Sequence, residues 1–374
     1  MSWARDVQST LGRTGTAVSV LCAAAGVMAF LSGLRGDSAS GTYGTLIGSW
    51  LFFAGGALGA VTFGALFRII PARWARSLVA LSPASLAFAP VTLGLLLVIL
   101  AGAESAPWVA AGRGWMATPV LASRELVLTA ALFGAGWVWF GPPRAPAADA
   151  RLARAVTFLI GYTVVLSIWA FDFVLGPDPV FGSTIMGPWV FVGSFLAGTD
   201  LLVLLALGRG ELSPSDQRDA SSFVLALTVF WTYLFASQAL TIWYGNLPDE
   251  TEFLIRRLDA SWGWTGLAML VLVFATPFAA LLQGAARASR RVLAAVLVGQ
   301  AVGLWIELQI LVVPSLTRGD ALFPLHPRVL LIALGMLGAF LLCVAPGLTH
   351  VAAPAVSGSS LGEPARPGHS RSPH

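Results

Sequence analysis

Apolar residues fill this chain in blocks of 18 to 24, broken by short stretches where arginine, proline, glycine and acidic residues collect. Each block is long enough to cross the hydrocarbon of a bilayer as a helix, which takes about 20 residues. Strands of an outer-membrane barrel would instead alternate polar and apolar positions. The pattern predicts ten spans, at 17–35, 46–68, 79–102, 124–141, 154–176, 186–208, 222–244, 262–284, 291–314 and 328–348. The expected fold class is an all-α polytopic membrane protein with about ten transmembrane helices. Arg5 and Arg13 ahead of the first span also suit a signal peptide, but its length and the nine spans behind it predict a retained helix. Residues 1–16 are then an N-terminal segment and 17–348 the membrane domain. The stretch 349–374, rich in Pro, Gly, Ser and Ala, cannot bury a core and is expected to be disordered.

Composition sharpens this picture. Only 11% of the 374 residues are charged, against about 25% in ordinary soluble domains, and mean hydropathy is +0.80. A secreted disulfide scaffold and a nucleic-acid-binding domain are both excluded. All 22 basic residues are Arg, a bias that suits a GC-rich bacterial genome. The two cysteines, Cys22 and Cys343, fall inside spans and read as inert packing. Gly55 and Gly59, four apart in span 2, read as a close helix contact.

Arginine also predicts orientation. Fifteen Arg lie at the termini or after even-numbered spans, and seven after odd-numbered spans. Because Arg-rich loops stay on the cytoplasmic side, the expectation is a bacterial cytoplasmic (inner) membrane protein with both termini inside. The external loops then carry Trp115 to Pro119, Phe171 to Thr184, Trp243 to Glu252 and His326 to Arg328. Aromatic, acidic and Pro residues gathered at one face suggest a site there, although an aromatic belt with helix-end turns would use the same residue types.

Span 7 is the most informative segment. Tyr233, Ser237, Thr241 and Tyr244 are spaced 4, 4 and 3, which puts them on one side of a helix. A polar stripe in lipid must face protein, water or a ligand. Gln238, Trp243 and Asn246 accompany it, and the Asn246-Leu247-Pro248-Asp249-Glu250 turn ends the helix with two carboxylates. In span 9, Gln300 and Glu307 share a face, and an ionisable group at that depth costs at least about 2.5 kcal/mol unless paired or protonated. Asp172 in span 5, Asp200 in span 6 and the Arg124-Glu125 pair opening span 4 are further buried-charge candidates. Asp178 and Ser183-Thr184 also suit turn and N-cap positions ahead of span 6. The four His, at 326, 350, 369 and 374, lie outside every span, so a haem held by two intramembrane His is excluded. No metal site is expected in this chain.

The run Asp172-Phe173-Val174-Leu175-Gly176-Pro177-Asp178-Pro179-Val180-Phe181-Gly182-Ser183-Thr184-Ile185-Met186-Gly187 resembles the signature of NrfD-like membrane proteins, and most narrowly the F subunit of bacterial alternative complex III. Span 7 and its turn resemble a second segment of that subunit, at Phe230, Trp231, Tyr233, Ser237, Gln238, Ile242, Trp243, Tyr244, Asn246, Pro248 and Glu250. The likeness spans about residues 45 to 325. It departs at Val180-Phe181, where the family carries His-Trp, at Phe173, and at Leu81-Ser82-Pro83, where Arg-Arg and Glu are usual.

The resemblance implies two four-helix bundles, spans 2–5 and 6–9, with the first and last spans peripheral. It also implies a quinol:cytochrome c oxidoreductase complex with menaquinol or ubiquinol as substrate. A second NrfD-like subunit, an iron–sulfur subunit and multihaem cytochrome c subunits would be the partners, so haem c and iron–sulfur would sit outside this chain. Asp172, Glu307, Asp249 and Glu250 become candidates for the proton chemistry. Tyr233, Ser237, Gln238, Trp243, Tyr244, Asn246 and Arg124 become candidates for quinol contact. A proton-conducting or structural subunit and a secondary transporter stay open, and a head-group-sized cavity beside the stripe would separate the first reading from them.

Overall fold

In a computed structural model of the protein, residues 2–35, 39–103, 114–141, 148–258, 260–317 and 325–349 are described. The predicted tail, His350, His369 and His374, and the loop arginines Arg113, Arg144 and Arg318 lie outside them. Ten described helices are long and apolar enough to cross a membrane, and each overlaps one predicted span. They are span 1 Trp3–Gly33, span 2 Ala39–Ile69, span 3 Arg76–Gly102, span 4 Thr118–Phe140, span 5 Ala150–Leu175, span 6 Met186–Arg209, span 7 Pro214–Gly245, span 8 Trp262–Leu281, span 9 Arg290–Leu316 and span 10 Pro327–Thr349. The described residues contain no strand.

Neighbouring helices close two rings. Spans 2, 3, 4 and 5 pack in sequence with span 5 returning to span 2, and spans 6, 7, 8 and 9 do the same with span 9 returning to span 6. The rings join where span 2 meets spans 6 and 9 and where span 5 meets span 6. Small residues allow that closeness. A Cβ on Gly59 would run into the Ser194 carbonyl of span 6, and one on Gly198 into the Gly59–Ala60 backbone. Gly55 and Gly59 are therefore packing residues, as their spacing suggested. Spans 1 and 10 pair at the edge, where a Cβ on Gly26 would come 2.6 Å from the Cα of Gly335.

Three local departures from a plain helix matter. Span 1 starts at Ser2 rather than near 17, with a kink at Gly12 (φ 71°). Span 5 opens into a π-helical turn over Ala170–Leu175, and span 8 does so over Val271–Ala275. In span 8 the cause is Pro277, which has no N–H for the carbonyl four residues earlier. That carbonyl, of Val273, accepts from Gln300 Nε2 of span 9 at 2.8 Å.

The segment after span 7 is a helix, Pro248–Leu258, where the sequence suggested a loop. Asn246 ends span 7 in the left-handed region (φ 46°), and Pro248 restarts the chain in a new direction. Asp249 and Glu250 open the new helix while Arg256 and Arg257 close it, the arrangement that its dipole favours. Phe253 and Arg257, one turn apart, point inward and are buried.

Candidate functional site

The start of span 4 and the ends of spans 5, 7 and 9 lie at one face. Asp172 lies within the π turn of span 5 and is buried. Its Oδ2 accepts from Arg124 Nη2 at 2.5 Å and Nε at 3.0 Å, and its Oδ1 accepts from Trp115 Nε1 at 2.9 Å. Arg124 also donates to the Trp115 carbonyl at 3.0 Å and lies 3.8 Å over the indole ring. Glu125 stands 3.5 Å from Arg124, fully buried, and neither of its oxygens has a hydrogen-bond partner among the described residues. Below this cluster Trp169 Nε1 donates to Thr129 and its ring lies 4.4 Å from that of Trp50. The first ring thus carries two carboxylates against one guanidinium, with the 55% exposed Trp115 on the outer side of the cluster.

A second layer connects the rings. Asp178, beyond the π turn, accepts from Arg256 Nη2 at 2.9 Å, and Arg256 also lies 3.6 Å from Glu252. The Phe181 and Phe253 rings stack at 3.7 Å and 11°. Ser183 Oγ accepts from Met186 N, the first residue of span 6, at 3.2 Å and donates to Gln238 Oε1. The Pro248–Leu258 helix is held down by the first two of these contacts.

Beneath that helix lies a cavity of about 280 Å³, walled by spans 6, 7, 8 and 9. Most of its lining is apolar or aromatic, including Trp189, Phe235 and Phe253. Three polar side chains reach it: Gln238 from the side, Glu307 from below and Arg257 from the roof. Glu307 lies nine residues from the Leu316 end of span 9, or about 13 Å at about 1.5 Å per residue. Its Oε1 accepts from Trp231 Nε1 at 2.9 Å. The indole N–H of Trp189, on the same wall, is buried and lacks a hydrogen-bond partner among the described residues. Gln238 has its Oε1 engaged by Ser183, which leaves its amide N–H₂ without a described partner.

Arg257 supplies the roof cation. It donates to the carbonyls of Phe253 (2.8 Å) and Leu311 (2.6 Å) and to Ser315 Oγ (2.7 Å), while its Nε remains unpartnered among the described residues. Burial lowers its pKa to about 9, partly offset by nearby Asp178, so it stays cationic at neutral pH. On the other side of Glu307 is a void of about 10 Å³ bounded by Phe52, Trp189 and Ser194, room for about one water molecule.

The sequence candidates therefore divide. Glu307 and Gln238 meet at the cavity, while Asp172 and Arg124 meet each other in the first ring. Tyr233, Ser237, Trp243, Tyr244 and Asn246 do not line the cavity, and Tyr233, Trp243 and Tyr244 are 64%, 73% and 84% exposed. Asp249 and Glu250 form the first turn of the roof helix, on its outside. Gln300 donates to Thr228 of span 7 as well as to Val273, so it and Glu307 face span 7 together, as their seven-residue spacing implied. Asp200 is fully buried with both oxygens unpartnered among the described residues.

Arg257 and Trp189 were not among the sequence candidates. The spacing of Phe253 and Arg257, four apart in a segment with acids first and arginines last, was the available signal for a roof helix. Among the described residues no three His, Cys, Asp or Glu gather closely enough to hold a metal ion.

The chain matches no known protein family and no curated protein. It is an integral, polytopic, all-α membrane protein. Glu307, Gln238 and Arg257 are the charged and amide side chains on a lining that is otherwise apolar or aromatic.

Proposed function

We propose that this chain is a membrane subunit of a quinol-oxidising respiratory complex of the alternative complex III type, and that the cavity under Pro248–Leu258 receives the quinol head group. One observation carries the reading: a buried carboxyl, a carboxamide and a guanidinium meet on the walls of a single cavity that is otherwise apolar and aromatic. Small-molecule sites have this make-up, an apolar slot with a few convergent polar groups. The 280 Å³ volume suits a head group without its tail. Leu258 and Leu267, both on the lining and more than half exposed, mark a rim through which an isoprenoid tail would reach lipid.

In this reading menaquinol or ubiquinol gives up two electrons and two protons. Glu307 accepts the proton of one hydroxyl, as a positioned general base, and the proton of the other hydroxyl passes to water at the external face. Arg257 Nε and the Gln238 amide donate to the oxygen at the other edge of the ring. Electrons leave to haem c and iron–sulfur centres in partner subunits, beside a second NrfD-like subunit. In this reading the cavity lies on the external side of a bacterial cytoplasmic membrane with both termini inside, an orientation that the arginine count supports.

The test is quinol:acceptor turnover by the assembly purified through this chain, with Glu307→Gln and Arg257→Gln beside the parent. Loss of about 10²-fold or more in turnover for Glu307→Gln, the scale of a general base, with an unchanged melting temperature supports the proposal. Full turnover and unaltered binding of a quinone-analogue inhibitor in both variants would remove the site from this chain.

A proton-conducting role without quinol is the second reading, and one observation favours it. Glu125 and Asp200 bury four carboxyl oxygens with no hydrogen-bond partner among the described residues, and such groups within a membrane mark proton routes. Proton uptake by reconstituted vesicles that fails in Asp200→Asn but persists in Glu307→Gln would favour that reading.

A further inference from the structure

The hydroxyl stripe of span 7 faces away from the protein. The residues from Phe223 to Ile242, bracketed by Ser222 and Trp243, number twenty and form the apolar part of this helix. Twenty residues match the bilayer hydrocarbon, which puts Tyr233 at its middle. There Tyr233 is 64% exposed. Neither its phenol nor the Ser237 hydroxyl one turn above has a hydrogen-bond partner among the described residues, whereas Thr241 Oγ1 is satisfied by its own helix at Ser237 O (2.8 Å). Tyrosine at the membrane surface is an ordinary interfacial anchor, which accounts for Tyr244. At mid-membrane depth lipid offers no acceptor, and a bare hydroxyl there is costly.

From this we infer that the Tyr233–Ser237 face of span 7 is the docking surface for a transmembrane helix of a different membrane protein. That helix would present a hydrogen-bond acceptor at mid-depth and a basic residue at its Asp249 end. The basic requirement comes from Asp249, in the exposed turn from Gly245 to Asp249 that follows the stripe, and from Glu252, whose side chain is 70% exposed even with Arg256 3.6 Å away. A second copy of this chain, related by an axis along the membrane normal, would set those carboxylates at the same depth as their own equivalents and repel. The inference needs only the membrane fold, and it stands whether or not the cavity binds quinol.

The test places the photo-crosslinking residue p-benzoylphenylalanine at 233 and, as a control, at Val164. Val164 is 48% exposed on the middle of span 5. The full chain is expressed in its native membranes and the adducts are sequenced. The expected adduct at 233 is a peptide from the apolar segment of another membrane protein, with a polar side chain at mid-depth and Arg or Lys at the matching end. It should be absent at 164. The partner so identified should co-purify several-fold less with Tyr233→Phe/Ser237→Ala and with Asp249→Arg, but equally with Val164→Leu. Lipid adducts alone at 233, a peptide of this chain's own span 7, or undiminished co-purification in the variants would each overturn the inference. Glu307→Gln should leave the adduct unchanged, so the outcome is read separately from the quinol test.

Discussion

Asp172 in the first four-helix ring and Glu307 in the second are buried in opposite ways. In the first, Asp172 is saturated by Arg124 and Trp115, and the cation is pinned between carboxylate, carbonyl and indole ring. In the second, Glu307 has one described partner, Trp231, and borders open volume. A saturated charge holds helices in register, while an undersatisfied one beside a cavity is available to a ligand or a proton. The difference arises where the counter-charge sits. Arg124 opens span 4 beside the end of span 5, whereas Arg257 reaches its cavity from a surface helix and shares the space with Glu307 instead of pairing with it.

The comparison breaks hardest at Asp172. Asp172→Ala leaves Arg124 only the more distant Glu125, at 3.5 Å, as a carboxylate neighbour, and removing one partner of a buried pair costs about 3–5 kcal/mol. Thermal unfolding in detergent should show the largest destabilisation of the set, or no folded protein at all, with Asp172→Asn intermediate. If the melting temperature holds, the first cluster is not structural. Next comes Glu307→Gln, whose expected signature is the reverse, a large loss of quinol turnover on an unchanged melting curve. Trp231→Phe should act in between, since it removes the indole donor to Glu307. A net cost of about 1–2 kcal/mol in stability is expected, together with a shifted pH profile of turnover, because Glu307 then loses its one described partner.

Smaller effects sharpen the contrast. Affinity for a quinone-analogue inhibitor should fall as pH rises through about 9, where Arg257 gives up its proton and the cavity loses its cation. The sign comes from a folded value lowered by burial below that of an ordinary arginine: the cation is intact at neutral pH and is lost on the alkaline side. Arg257→Gln should abolish that dependence. Arg256→Ala should cost least, about 0–1 kcal/mol, because Arg256 is about one-third exposed where it meets Asp178. A larger effect on inhibitor affinity than on melting would mark the Arg256–Asp178 pair as a fastening of the cavity roof.

Much of this was legible in the sequence, and for specific reasons. Ten apolar blocks gave ten helices because backbone groups in lipid must be satisfied within each segment. Gly55 and Gly59 were readable as a close contact, and Gln300 and Glu307 as a shared face, because helical spacing fixes both. The Asp178 and Ser183 turn was readable too, although Ile185 is the residue that caps span 6 and Ser183 accepts from Met186 N from two residues further out. The reading failed where it needed a helix's rotation. The polar stripe of span 7 was expected to face protein, water or a ligand, with a cavity beside it as the mark of a quinol site, yet the cavity takes Gln238 from that helix and leaves Tyr233 and Tyr244 outside. Nor did the sequence bring Arg257 to Glu307, since the surface helix between spans 7 and 8 has too few apolar residues to announce what it covers.

By itself the sequence determined the number of spans and which residues share one side of one helix. Those are properties of a single segment, set by the backbone hydrogen bonds and rise per residue of a helix. Only the tertiary structure decided which side of each helix turns inward, that Asp172 meets Arg124 and Trp115, and that Gln238, Arg257 and Glu307 surround one space. Rotation about the helix axis is fixed by packing between segments distant in the chain, here by small residues such as Gly59 and Gly198 that let spans 2 and 6 close together.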